Sequence, residues 1–125
     1  MANSIRRLSD AELEVMQAIW ACQPPVDRAD IEAILYPVHP MAMTTLLTLI
    51  TRLGEKGFLS VEKMGRRSVY TPLIRREDYL AFQSRSFIDK LCGGSLSAFA
   101  NALCDSGLTK EEIAKLRTLL ERGEL

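Results

Sequence analysis

The sequence predicts a mainly α-helical chain carrying one small β-hairpin wing, and three observations support that prediction. Apolar residues recur at helical spacing over most of the 125 residues, one pair of short β-rich segments brackets a Gly-Arg-Arg tip, and proline or glycine pairs interrupt the helical pattern. At 47% hydrophobic, the chain has enough apolar surface for one domain, or two small pieces sharing a core, without disulfide staples.

Ser9-Asp10-Ala11-Glu12 is a capping box, in which the serine oxygen accepts from a first-turn amide while the glutamate reaches back. Leu13, Met16, Ile19 and Trp20 then follow at helical spacing until Pro24-Pro25 stops the helix. Asp27 is placed to cap a second, short helix, Arg28 to Leu35, that ends before the Pro37 to Pro40 stretch. A third helix is expected from about Ala42 to Lys56, with Gly57 as its left-handed terminator. Leu46, Leu49, Ile50 and Leu53 form its apolar stripe, and Thr44, Thr48, Thr51 and Glu55 lie opposite, with Thr45 and Arg52 on one flank and Leu47 on the other.

Phe58 to Lys63 and Ser68 to Leu73 read as two strands around the turn Met64-Gly65-Arg66-Arg67, a hairpin with a cationic tip. After Pro72 the pattern is helical again: about Glu77 to Leu91, broken by Gly93-Gly94, then about Leu96 to Cys104, then a helix opened by the capping box Thr109-Lys110-Glu111-Glu112. Three helices followed by a hairpin is the layout of a winged helix-turn-helix, so the domains are expected at 1–74 and 75–125.

Charge points the same way. The formal net charge is zero, from 16 basic and 16 acidic residues. Its distribution is uneven: Thr44 to Arg76 holds seven basic and two acidic residues, a balance of +5, and the remainder carries −5. A basic segment in a neutral chain suits one polyanion-facing surface rather than a generally adhesive coat. Threonine sharpens the reading, because it is a poor helix former and Thr44, Thr45, Thr48 and Thr51 crowd one helix. Short hydroxyls keep a helix close to DNA, bond phosphate or base edges, and offer a methyl to thymine. The candidate DNA-binding residues are therefore these four threonines with Arg52 and Lys56 beside the groove and Gly65, Arg66 and Arg67 in the wing. The alternative is a winged helix that binds proteins and no duplex.

Other classes fit less well. Three cysteines, Cys22, Cys92 and Cys104, form no CxxC pair, and with one histidine, His39, they supply no zinc-spaced ligand set. No Ser/His/Asp or Cys/His arrangement and no glycine-rich phosphate loop stands out, so neither an enzyme nor a cofactor is expected. No stretch approaches the roughly 20 apolar residues of a membrane helix, and a cytoplasmic protein without membrane insertion is expected.

The chain resembles the penicillinase-repressor family of bacterial transcription regulators (the BlaI/MecI/CopY type). The resemblance rests on Leu8 to Met16 with Ile19-Trp20, on Thr44 to Leu59, on Gly65-Arg66 and Tyr70-Thr71-Pro72-Leu73, and on Ser86-Phe87, Gly93 to Leu96 and Leu108 to Ile113. It implies a homodimeric repressor whose winged helix binds a palindromic operator in double-stranded DNA and whose C-terminal helices form the dimer. The apolar faces after Pro72 exceed what so short a segment can hide within itself, which agrees with that division. The dimerisation candidates are Tyr79, Phe82, Phe87, Ile88, Leu91, Leu96, Phe99, Leu103, Ile113, Leu116 and Leu120. In the antibiotic-resistance branch a membrane sensor-protease pathway triggers cleavage after an asparagine followed by phenylalanine. The matching position here is Asn101-Ala102, which keeps the asparagine and lacks the phenylalanine. The Ser-Pro common at the start of the family's reading helix is replaced by Ala42-Met43, which weakens that helix's cap.

Overall fold

A computed structural model of the chain describes residues 5–123 and divides it into two compact units, residues 1–83 and 84–125. The first contains α1 (Asp10–Trp20), β1 (Val26–Asp27), α2 (Arg28–Leu35), α3 (Met43–Glu55), β2 (Leu59–Met64) and β3 (Arg67–Pro72). The boundary falls within α4 (Arg76–Lys90), and the second unit continues with α5 (Leu96–Asp105) and α6 (Lys110–Arg122).

Local chemistry sets the helix ends. Both halves of the Ser9–Glu12 capping box are made, and Asp27 caps α2 in a second box closed by Asp30. At the end of α3 the Phe58 amide donates back to the Leu53 carbonyl at 2.9 Å, and Gly57 takes φ +83°, so the chain leaves the helix through a left-handed residue. The Phe58 carbonyl, in turn, accepts from Leu73 at 2.8 Å. Phe58 thus closes the helix and introduces the hairpin, which is why β2 begins one residue later than the alternation suggests.

The strands pair antiparallel in the order β1-β3-β2, with Leu59 opposite Pro72 and Met64 opposite Arg67. That register leaves Gly65-Arg66 as a two-residue turn, and Gly65 supplies the positive φ, +67°, that a tight hairpin needs at its first central position. β1 was not anticipated: Val26 and Asp27 pair with Tyr70 and Val69, tying the start of α2 to the hairpin.

Leu46, Leu49, Ile50 and Leu53 bury the predicted stripe of α3 against a core that includes Val15, Met16, Ile19, Ile31, Leu35 and Phe58. Tyr79 belongs to this core as well. It is 2% exposed, its ring lies against Trp20, Phe58 and Phe82, and its hydroxyl accepts from the Leu8 amide at 2.9 Å. Trp20 donates its indole N–H to the Ile74 carbonyl at 2.9 Å, anchoring the segment that enters α4. Of the dimerisation candidates, Tyr79 is thus taken up by this core, and Phe82 packs partly buried against it.

The second unit is different in kind. None of its described residues is buried, although Phe87 stacks edge-on against Phe99 at 5.8 Å and α5 and α6 flank an apolar groove of about 310 Å³. Leu91, Leu96 and Leu120 are largely exposed. Among the described residues no helix is long and apolar enough to cross a membrane.

Candidate nucleic-acid interface

The exposed side of α3 carries Thr44, Thr45, Thr48, Thr51 and Arg52, as the wheel predicts. Thr48 Oγ1 donates to the Thr44 carbonyl at 2.9 Å and Thr51 Oγ1 to the Leu47 carbonyl at 3.0 Å. Each hydroxyl still has acceptor lone pairs, and its proton can rotate to a better acceptor. Ala42 gives α3 no side-chain cap, so its first-turn amides are left without a side-chain acceptor.

Beside α3, a cleft of about 310 Å³ is bounded by Leu47 of α3, by Asp27, Arg28 and Ala29 at the start of α2, and by Arg66, Arg67, Ser68 and Tyr70 of the wing. The Leu47 flank of α3 and the cationic tip thus border one concave surface. Arg66 sits exposed in the turn with no ion-pair partner among the described residues. Arg52 is likewise exposed and unpaired among them.

Two predicted cations have other occupations. Lys56 Nζ donates to Glu12 Oε1 at 2.6 Å and to the Arg7 carbonyl at 3.3 Å, and its side chain is 21% exposed against 3% for Glu12. Burial of Glu12 opposes its charge, but the Lys56 ammonium and the Ser9 amide outweigh that penalty and hold the carboxyl below its ordinary pKa. Lys56 is thereby engaged as the counter-ion of a buried carboxylate. Arg67 donates to Asp27 Oδ2 at 2.7 Å. The Asp30 amide and the Arg67 charge keep the Asp27 carboxyl below its usual range.

Arg28, on the rim of the cleft, was missed by sequence reasoning because it lies outside the basic segment; its Nε approaches Glu32 at 3.5 Å. Asn101 and Ala102 lie exposed within α5. Among the described residues no cluster of three or more His, Cys, Asp or Glu side chains could hold a metal ion.

A threonine-faced third helix and a basic hairpin on a three-helix core define a winged helix-turn-helix domain. The chain belongs to the penicillinase-repressor family, whose profile matches residues 8–122. It is 36% identical over 118 residues to the penicillinase repressor of Bacillus licheniformis, covering 94% of this chain and 91% of that protein. It is 33% identical over 123 residues to the methicillin resistance regulatory protein MecI of Staphylococcus aureus strain N315, covering 98% and 99%. The solution structure of the DNA-binding domain of the repressor BlaI matches with a TM-score of 0.53 at 37% identity, over 62% of this chain and 94% of that one. The monomeric form of Bacillus licheniformis BlaI in complex with the blaP half-operator matches with a TM-score of 0.51 at 38% identity, over 61% and 92%. The family consists of transcriptional repressors rather than enzymes.

Proposed function

We propose that this chain is a homodimeric transcriptional repressor that binds a palindromic operator, each protomer reading one half-site. The observation that carries the reading is the pairing of an exposed threonine face on α3 with an exposed, unpaired Arg66 at the wing tip, Leu47 on the flank of α3 lining one cleft with that tip. In this reading α3 enters the major groove, about 12 Å wide, where threonine hydroxyls and methyls meet base edges. Arg66 and Arg52 hold backbone phosphates and fix the register. That a relative was solved in complex with a half-operator supports duplex binding.

Dimerisation is supported by the unburied second unit. Ile88, Leu91, Leu96, Phe99, Leu103, Ile113, Leu116 and Leu120, with Phe87, present more apolar surface than α5 and α6 cover in one chain, and a second copy supplies the missing layer. Release of the operator then follows from a sensor-triggered change in this unit, with the exposed Asn101-Ala102 bond as the candidate cut.

The test is duplex binding across a salt series, using the DNA upstream of the protein's own gene. The affinity should fall linearly with salt on logarithmic axes, and Arg66→Ala should reduce that slope by about 0.9 per protomer. Absence of salt-dependent binding to any duplex would overturn the reading and favour a protein-binding winged helix.

A further inference from the structure

We propose that Asp27 is a positioning residue that withholds Arg67 from the DNA backbone, so that the wing tip contributes one phosphate contact per protomer, through Arg66, rather than two. The inference rests on the duplex-binding reading above.

Asp27 is held at three points. Its backbone pairs with Val69 in the sheet, its Oδ1 accepts from the Asp30 amide at 2.9 Å as the cap of α2, and its Oδ2 receives Arg67 Nη1 at 2.7 Å. The carboxylate is 19% exposed, whereas the Arg67 side chain is 66% exposed. An arginine so accessible, beside a free Arg66, would ordinarily be recruited by the first phosphate to arrive. Here a phosphate approaching Arg67 also approaches a carboxylate that cannot swing aside without giving up the cap of α2. Repulsion from Asp27 offsets the attraction of Arg67, and the pair presents no net charge. The cleft therefore offers fewer available cations than its three arginines suggest, which limits affinity that does not depend on sequence.

Fluorescence anisotropy of the full chain on its upstream duplex and on an unrelated duplex, from 50 to 200 mM salt, tests this. Arg67→Ala removes no phosphate contact and only leaves Asp27 uncompensated, so it should lower the salt slope by less than Arg66→Ala does. Asp27→Asn keeps a good helix cap and frees Arg67. Its slope should steepen by about 0.9 per protomer, so that the loss of affinity across this range grows about threefold for each protomer bound. Adding Arg67→Ala to Asp27→Asn should restore the wild-type slope, which a general disturbance of the fold would not do. A slope lowered by Arg67→Ala as much as by Arg66→Ala, or unmoved by Asp27→Asn, overturns the proposal. If thermal melting shows Asp27→Asn unfolded, the Arg67→Ala comparison decides alone. A wild type without salt-dependent binding removes the duplex reading and this inference together, whereas a salt-dependent wild type with an unmoved Asp27→Asn slope removes this inference only.

Discussion

Glu12 is almost wholly removed from water, and Lys56 keeps it charged. Removing one member of such a pair strands the other in a poor solvent, which costs more than the pair itself contributes. Lys56→Met should therefore destabilise the fold by about 2 kcal/mol in urea titration, less than for a fully buried pair because Lys56 retains some solvent. Its salt slope on duplex should stay at the wild-type value. The pH dependence follows from the depressed pKa of Glu12. The folded state prefers the ionised form, so this stabilisation is complete above the unfolded pKa and is lost as pH falls through the lower, folded pKa. The stability gap between wild type and Glu12→Gln should accordingly close on acidification below the ordinary glutamate range, measured by urea titration at successive pH values.

At the level of the element, α3 carries two demands that conflict. Its buried face needs Leu46, Leu49, Ile50 and Leu53, while its exposed face tolerates threonines that a helix selected only for stability would replace. Thr48 and Thr51 also bond back to carbonyls one turn earlier, a habit that slightly weakens helices. Thr48→Ala should then raise stability by about 0.5 kcal/mol while reducing discrimination between operator variants by about 1 to 3 kcal/mol at the contacted base. A melting temperature that rises while operator preference flattens identifies a residue kept for reading. Unchanged preference would make it ordinary surface.

The two units differ as whole bodies in how they treat apolar surface. The first closes a core around Tyr79 and Phe58, whereas the second leaves every described residue at least partly in water. If a second copy completes that layer, Leu103→Glu together with Leu120→Glu places charge in it while leaving the first unit untouched. Sedimentation should then report a monomer. Operator affinity should drop by about 100-fold, because two linked half-sites bind far better than one. A dimer that survives both substitutions would place the interface elsewhere.

Much of the fold was legible because it is local. Capping boxes at Ser9 and Thr109, the stripe of α3, the proline and glycine stops and the Gly65 turn depend on neighbours within a few residues, and each appears where the spacing puts it. The exposed threonine face was legible for the same reason, since 3.6 residues per turn decides which side chains share a side. What the sequence by itself determined was therefore the order and type of the main elements, and which face of α3 is free. Only the tertiary structure decided which charges remain available. Lys56 meets Glu12 from 44 positions away, Arg67 meets Asp27 from 40, and Tyr79 reaches Leu8 across 71. Periodicity carries no record of such meetings: whether an arginine faces a phosphate or a carboxylate depends on what the folded chain brings within about 3 Å of it.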